Sequence, residues 1–292
     1  MAKVNLFMVG AMKAGTTTLT GLFASHPDVY TPPIKEPHYF VEDLPKNLYE
    51  PSRFFSEGNY FENEFPKPVH IAHLKDASHY AKLFSLATSE KYLLDASTAY
   101  LHAPDAAANI FAYNPDAKIV ILRRNPLKRA FSHYKMDLGL GRTTRTFQSI
   151  MDEEIAAYRK GHLAWNTYLA MSFYTNPVTR FKELFSDVLV VDFERFVQDT
   201  PQGSKEITDF LGVANLDDAQ VEHKNETKAL RFQKLFFVLK KLGIKDYFSK
   251  IFSTKFRQRI FGMMSTTEKQ SMNLSEATRE ELTTIFNTES SL

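Results

Sequence analysis

The 292-residue sequence contains no cysteine, which excludes disulfide bonds, thiolate catalysis and zinc sites built on cysteine. It has no window of about 18 uncharged apolar residues, so we predict no membrane-spanning helix. The apolar run at residues 4–9 is too short for a signal-peptide core and leads into a glycine loop, which indicates a buried strand. The formal net charge of +2 is too small to favour a nucleic-acid partner. We therefore expect a cytoplasmic protein.

Hydrophobic residues make up 43% of the chain and charged residues 24%, as in ordinary globular proteins, and we expect a single domain over residues 1–292. Apolar runs that suit strands buried on both faces lie at residues 4–9, 91–97, 117–123 and 187–193. Helix-like segments lie at residues 16–24, 104–113, 126–138 and 168–185. This alternation predicts an α/β fold with a central parallel sheet flanked by helices.

The sequence also indicates where two helices begin and where a long connection lies. Asn125-Pro126 and Thr200-Pro201 each place a capping side chain before a proline, and Gly212 is a plausible stop for the second helix. Residues 31–66 are rich in proline, aromatic and acidic residues with little periodicity. We expect this segment to form a long ordered connection that passes over the ends of the strands.

The segment VGAMKAGTTTL, residues 9–19, places a glycine loop between the first strand and a helix. Gly10 and Gly15 keep the spacing of a nucleotide-triphosphate loop, but Thr16 stands where its lysine belongs and Lys13 lies inside the loop. Free backbone N–H groups and the positive helix end form an anion site in such a loop. Lys13 could then support an oxygen on which charge builds as a bond to phosphorus or sulfur breaks.

This segment resembles the 5′-phosphosulfate-binding loop, K-x-G-T-T, of sulfotransferases that use 3′-phosphoadenosine 5′-phosphosulfate (PAPS). The resemblance implies a P-loop-like three-layer fold and a reaction that needs no metal. It assigns donor binding to residues of the loop, namely Lys13, Ala14, Gly15, Thr16, Thr17 and Thr18.

A second anion site is needed if the donor carries a 3′-phosphate, and residues 118–134, KIVILRRNPLKRAFSHY, offer one. Arg124 follows a buried strand, and Ser132 lies two turns into the next helix, so the two could grip a phosphate from two sides. The pair looks like the family's 3′-phosphate motif, with a serine eight residues after the arginine. Arg123 and Arg129 are not placed by the motif, and either could pair with an acidic neighbour.

The segment PPIKEPHYF, residues 32–40, supplies candidates for a general base. Sulfuryl transfer to an alcohol requires removal of the acceptor proton, and a carboxylate within hydrogen-bond reach can remove it. Lys-Glu-Pro-His-Tyr-Phe is similar to the K-E-x-x-F/Y-F segment of glycan-type and many bacterial sulfotransferases, in which the glutamate is the base. Glu36 is the candidate by this resemblance, with Lys35 and His38 lining the cleft. His38 is the alternative base, because imidazole titrates near neutral pH.

The resemblance extends to LLDASTAYL (93–101) and to residues 181–202, and reaches roughly two thirds of the chain. Thr98 departs from it by replacing a common proline, and the end of the chain lacks the paired cysteines of heparan-type members. The resemblance implies transfer of a sulfuryl group from PAPS to an acceptor hydroxyl, with a carbohydrate or glycolipid acceptor favoured by the Lys-Glu-Pro-His-Tyr-Phe segment alone.

Residues 229–264 form a basic aromatic segment, with nine Lys/Arg against one acid and phenylalanines interleaved. A basic amphipathic helix of this kind can lie on an anionic membrane, which makes peripheral membrane association an option. Packing of the phenylalanines on the sheet or on a partner chain is the interpretation we prefer. A basic loop at residues 223–231, which overlaps the start of this segment, could close over the 3′-phosphate through Lys228 or Arg231.

Two other function classes compete with this hypothesis. One is a kinase or nucleotide triphosphatase with an altered loop, with Asp192 as the magnesium-holding acid, but it lacks the lysine after Gly15. The other is a non-catalytic anion-binding or membrane adaptor module, which leaves Lys13 and Glu36 without a role.

Overall fold

The computed structural model describes residues 3–215, 229–230, 265–266 and 271–291. The strands in these ranges are β1 Leu6–Gly10, β2 Val29–Tyr30, β3 Ile34–Glu36, β4 Val69–Ile71, β5 Tyr92–Asp95, β6 Lys118–Arg123, β7 Val188–Asp192, β8 Ala229–Leu230 and β9 Ser265–Thr266. The α-helices are α1 Thr16–Phe23, α2 Glu57–Asn59, α3 Ala77–Leu83, α4 Ala106–Tyr113, α5 Pro126–Gly139, α6 Phe147–Arg159, α7 Thr175–Leu184, α8 Phe193–Gln198, α9 Thr200–Leu211 and α10 Glu276–Ser291. A π-helical turn spans Tyr60–Glu64 and a 3₁₀ turn spans Ala170–Ser172.

A five-stranded parallel sheet in the order β2-β5-β1-β6-β7 forms the centre of the fold. All five residues of β1 are buried, since this central strand has a neighbour at each edge and helices on both faces. Leu6 lies level with Leu94 of β5 and with Lys118 of β6. The predicted α/β class, central parallel sheet and P-loop-like architecture are confirmed, and the four predicted strands match the bounds of β1, β5, β6 and β7 within two residues. The predicted burial on both faces is wrong for β7, in which only Val191 is buried because this strand lies at the edge of the sheet.

Helix α5 begins as its sequence predicts. The Asn125 side chain accepts a hydrogen bond from the Lys128 backbone N–H at 3.1 Å, and Pro126 takes the first helical position, where no N–H is needed. Helix α9 ends at Gly212 in the left-handed conformation, also as predicted. Its cap is Asp199 rather than Thr200, because the Asp199 carboxylate accepts from the Gln202 N–H.

The single helix predicted over residues 168–185 is wrong. The chain instead makes the 3₁₀ turn and then starts α7 at Thr175. Tertiary contacts hold the backbone at this point: Glu154 of α6 accepts the N–H groups of Tyr168 and Leu169, and Arg129 of α5 donates to the Tyr168 carbonyl, which a continuous helix would use for its own ladder. The interruption therefore follows from packing, which local periodicity does not report.

The segment over residues 31–66 is ordered and contains short elements that its weak periodicity did not predict. Its strand β3 pairs in parallel with β4, separately from the main sheet. Arg142, just after α5, fastens the middle of the segment by donating to the carbonyls of Asn47 and Leu48 and to the Asp137 carboxylate. These hydrogen bonds hold the middle of the segment against the end of α5.

A second apolar cluster lies beside the main core, between α5, α6 and α10. Leu282, Ile285 and Phe286 supply the face of α10 that is buried there. Within the described part of the chain, no helix is both long enough and apolar enough to cross a bilayer. Apart from the short β8, the segment 229–264 lies outside the described residues, and its predicted helix and membrane contact stay predictions.

Candidate active site

A cleft of about 1250 Å³ opens where the parallel strands end. Lys13 follows β1, Thr98 follows β5, Arg124 follows β6 and Phe193 follows β7. Side chains after different strands meet here because the carboxyl ends of parallel strands share one edge of the sheet. The predicted site residues that line the cleft are Lys13, Gly15, Thr16, Thr17, Thr18, Glu36, Arg124 and Ser132.

The loop between β1 and α1 is built on left-handed backbone at its turns. Gly15, with φ of 90°, caps α1, and a Cβ there would lie 2.4 Å from the Phe193 ring. Lys13 also has positive φ, at 70°. The first hydrogen bond of the helix runs from the Thr18 N–H to the Gly15 carbonyl, so the amides of Thr16 and Thr17 precede it at the positive helix end. This geometry is that of an anion-binding loop.

The Lys13 ammonium stands in an unfavourable position for a cation. Burial lowers its pKa, and the neighbouring positive charge of Arg124 lowers it further, while Asp137 acts in the opposite direction. Two cations held close together in a partly buried cleft repel each other. A bound anion would relieve this repulsion, so the charge distribution favours an anionic ligand.

Arg124 joins the two halves of the predicted donor site. Its Nη1 donates to the Lys13 carbonyl at 3.0 Å, and its guanidinium lies 5.0 Å from the centre of the Phe193 ring. Its buried Nε makes no hydrogen bond within the described ranges and lies 3.9 Å from Glu194 Oε1. Ser132, on the buried face of α5, lines the same cleft. The guanidinium is thus held in place in the cleft wall and has N–H donors that these contacts do not use.

Glu36 ends β3 and brings a carboxylate to the cleft wall. Its Oε1 accepts from Lys35 Nζ at 2.8 Å, and its Oε2 accepts from Thr98 Oγ1 at 2.7 Å. Burial alone would raise its pKa, but the Lys35 charge and the hydrogen bonds from Lys35 and Thr98 outweigh burial and lower the pKa to about 2. Glu36 is therefore an anion at neutral pH, the form a proton acceptor needs.

His38 and Lys35 contact Glu36 instead of lining the cleft. The His38 ring is buried, with Nδ1 at 3.1 Å from the Glu36 carbonyl and Nε2 at 3.7 Å from Glu36 Oε2. Burial lowers the pKa of His38, while Glu36 acts in the opposite direction, and the imidazole is neutral at neutral pH. The expectation that His38 and Lys35 line the cleft is wrong, because the Lys35 ammonium, from within β3, pairs with Glu36 Oε1 and the buried His38 ring lies beside Oε2.

A sequence profile decides the family. The profile of the Sulfotransferase family matches residues 5–218, which include every described residue that lines the cleft. The chain belongs to this family.

Individual relatives agree with this assignment. Heparan sulfate glucosamine 3-O-sulfotransferase 6 of Homo sapiens is 24% identical over 227 residues, which cover 76% of this chain and 56% of that protein. The membrane-associated sulfotransferase kil1 of Dictyostelium discoideum is 26% identical over 137 residues, covering 46% of this chain and 23% of that protein. The chain thus spans about half the length of the human relative and less than a quarter of the length of the Dictyostelium protein.

Among solved structures, a sulfotransferase from Alicyclobacillus acidocaldarius is similar along almost the whole chain. The two share 28% sequence identity with a TM-score of 0.64, covering 99% of this chain and 93% of that one. The fold of this family member is therefore that of a known sulfotransferase.

Of the predicted site residues that the structure describes, Ala14 and His38 do not line the cleft. Ala14 is fully buried inside the loop, where its small side chain packs in the core, and it is absent from the cleft wall. Lys228 and Arg231 lie outside the described residues. Their proposed closure over a 3′-phosphate stays a prediction.

Other residues of the wall were not predicted from the sequence. Phe193, Phe196, Val197 and Thr200 come from α8 and the start of α9, and the others are Met12, Leu48, Tyr49, Glu50, His70, Ile71, Met136, Leu140 and Arg142. The position of Phe193 directly after a parallel strand was a usable indication, since site residues collect there. The others come from segments whose placement depends on tertiary packing.

Asp192, the magnesium-holding acid of the kinase alternative, is engaged elsewhere. Its carboxylate accepts two hydrogen bonds from Arg123, so Arg123 pairs with an acidic neighbour as the sequence allowed. Arg129, in contrast, is fully buried and donates to Ser172 Oγ and the Tyr168 carbonyl. Within the described ranges, no cluster of three or more potential metal ligands is present.

Proposed function

We propose that this chain transfers a sulfuryl group from PAPS to a hydroxyl group of a carbohydrate or glycolipid acceptor. The observation that carries the proposal is that one cleft holds an anion-binding loop with Lys13, a second cation at Arg124 and an ionised carboxylate at Glu36. Family membership supports sulfuryl transfer, and the human relative's name supports a glycan acceptor for that protein.

The residues of the cleft fit the donor at both ends. The loop amides and threonine hydroxyls present neutral donors for the phosphosulfate, and Arg124 with Ser132 offers a charged fork and a hydroxyl for the 3′-phosphate. The aromatic rings of Phe193 and Phe196 in the cleft wall suit a flat base. Holding a ligand at two separated points fixes its reacting bond, and such positioning supplies a large part of catalysis.

The proposed reaction is an in-line displacement at sulfur. The acceptor oxygen forms a bond to sulfur while the bond between sulfur and the bridging phosphate oxygen breaks. Glu36 takes the proton of the acceptor hydroxyl, and the Lys13 ammonium stabilises the charge that develops on the bridging oxygen. The residues and the two substrates together account for every proton and electron pair, and the resemblance to PAPS-dependent sulfotransferases implies that the step needs no metal.

The direct test is a transfer assay with ³⁵S-labelled PAPS and a panel of acceptors: neutral alkyl glycosides, glycolipids in detergent, and N-sulfated heparan oligosaccharides. We expect label in at least one glycan-bearing acceptor without magnesium, and calorimetric binding of 3′-phosphoadenosine 5′-phosphate that is weaker in Arg124→Ala. Hydrolysis of ATP with magnesium, together with no transfer from PAPS and no binding of its product, would establish the kinase or triphosphatase alternative.

Replacement of Glu36 by glutamine tests the base. Glu36→Gln should lower turnover by about 10²–10⁴, the usual contribution of a positioned general base, without changing the affinity for the desulfated donor. The matched control is Glu62→Gln, an exposed glutamate of the same long segment. A near-normal rate for Glu36→Gln would assign the base to His38, and His38→Asn would then lose activity in its place.

A further inference from the structure

Two donors hold the Glu36 carboxylate, and only one of them comes from a distant part of the chain. Lys35 is the preceding residue and moves with Glu36. Thr98 is 62 residues away and donates from its hydroxyl at 2.7 Å, with its backbone N–H at 3.4 Å from the same oxygen. Thr98 is therefore the contact that fixes the carboxylate relative to the sheet.

Thr98 is itself held tightly. It is 3% exposed and lies in the turn that follows β5. This turn is fastened to β1 by a hydrogen bond from the Leu101 N–H to the Val9 carbonyl at 2.8 Å. The Thr98 carbonyl approaches Gly10 so closely that a Cβ on Gly10 would lie 2.9 Å from it. Because threonine is branched at Cβ, its hydroxyl has few rotamers available.

The neighbouring hydroxyl, Ser97, holds the same segment at a second point. Ser97 Oγ accepts from the His38 backbone N–H at 3.0 Å and donates to Asp95 Oδ1 at 2.7 Å. Asp95 ends β5 and is fully buried, where Tyr80 and Tyr100 both donate to its other oxygen. Consecutive hydroxyls at 97 and 98 thus connect residues 36–38 to the end of a core strand.

We propose that Thr98 is a positioning residue for sulfuryl transfer, whose hydroxyl orients the Glu36 carboxylate so that an unused lone pair faces the acceptor hydroxyl. The inference rests on the proposed function of Glu36. An ionised carboxylate offers about four acceptor sites; the Lys35 ammonium occupies one on Oε1, and the Thr98 hydroxyl and N–H both approach Oε2. The Thr98 bond fixes which of the others point into the cleft that both residues line.

The electrostatic role of Thr98 can be separated from that of the charged and titratable groups around Glu36. These are Lys35 and His38 on its own segment, His70 from β4, and Lys13 across the cleft. Thr98 is neutral, so removing its hydroxyl changes no charge. A hydrogen bond to a carboxylate favours the charged form, and its loss should raise the pKa of Glu36.

The test compares Thr98→Val, which keeps the shape and the backbone N–H, with Thr98→Ser, which keeps the hydroxyl. We expect Thr98→Val to lower kcat by about ten- to a hundredfold, the range for one lost hydrogen bond to a charged group. Binding of 3′-phosphoadenosine 5′-phosphate should stay within about twofold. Thr98→Ser should recover most of the rate.

A second readout is independent of turnover. The ¹³C carboxyl resonance of Glu36, assigned by its disappearance in Glu36→Gln, should titrate at higher pH in Thr98→Val than in the unmodified protein and in Thr98→Ser. Loss of fold would instead broaden or shift many resonances together. Wild-type kcat in Thr98→Val, or loss of activity with an unmoved Glu36 titration and no recovery in Thr98→Ser, would overturn the inference. Neither result would contradict the proposed function. That proposal fails only if the unmodified protein transfers no sulfuryl group.

Discussion

Among single residues, Lys13 has a position that suits the proposed reaction better than it suits the stability of the fold. A partly buried ammonium beside a guanidinium is unfavourable for the folded protein alone, and the pKa of Lys13 is lowered accordingly. The same arrangement suits a group that must meet negative charge during a reaction. Residues of this kind are expected to matter more for kcat than for folding.

Replacing Lys13 with alanine should separate these effects. We expect Lys13→Ala to lower kcat by about 10²–10³ while weakening the affinity for 3′-phosphoadenosine 5′-phosphate much less, because the charge acts mainly in the transition state. The melting temperature should hold or rise, since a repulsive charge is removed. Single-turnover kinetics and calorimetry measure the two quantities, with the exposed Lys160→Ala as control. An equal loss in both would mean that Lys13 only anchors the donor.

At the scale of elements, the turn from β1 to α1 depends on one glycine more than on its threonines. Gly15 combines positive φ with van der Waals contact to Phe193, which itself lies under the Arg124 guanidinium. The loop, α8 and the arginine are thus packed as one unit. A change at Gly15 should disturb all three.

Gly15→Ala should destabilise the protein by roughly 1–3 kcal/mol, because the new Cβ meets both left-handed strain and the Phe193 ring. Donor affinity should fall with it. The matched control is Gly21→Ala, in the middle of α1, where a Cβ meets no atom within 4 Å. That change should stabilise the protein by roughly 0.5–1 kcal/mol. Urea denaturation at pH 7 measures both, and equal signs for the two variants would contradict the argument.

On the scale of the whole molecule, the second apolar cluster ties the end of the chain to the site. Helix α10 packs on α6, and the Tyr158 hydroxyl donates to the Glu289 carboxylate at 2.9 Å. Helix α6 in turn holds the turn before α7 through Glu154, and α5 of the same cluster carries Ser132. Stability of this cluster should therefore support the cleft wall.

Glu154 should make this stability depend on pH. Burial raises its pKa to about 7 from 4.5, although the N–H groups of Leu169 and Tyr168 favour the anion. Because the folded state then binds the proton more tightly than the unfolded state, its stabilising effect is complete below pH 4.5 and is lost as pH rises toward 7. We expect the free energy of unfolding of the unmodified protein to fall between pH 4.5 and 8. Compared with the Glu154→Gln variant, the fall should be on the order of 2–3 kcal/mol. Denaturant titrations across this range measure it, and parallel curves for the two proteins would refute the assignment.

The sequence by itself determined the parallel sheet, the anion loop and the second cation, since each depends on residues close together in the chain. Buried runs, glycine spacing and the Asn125-Pro126 cap are local patterns, and the site edge follows from strand direction alone. Glu36 was found by resemblance to known segments, not by any local rule.

Only the tertiary structure decided which side chains face the cleft. It placed His38 behind Glu36, broke the helix predicted at residues 168–185, and brought Thr98 to the carboxylate from 62 residues away. Contacts of this kind depend on how separate elements pack, and no periodicity within one element encodes the angle between two. The physical reason is that hydrogen bonds across the core are satisfied by whichever groups the packed elements bring together.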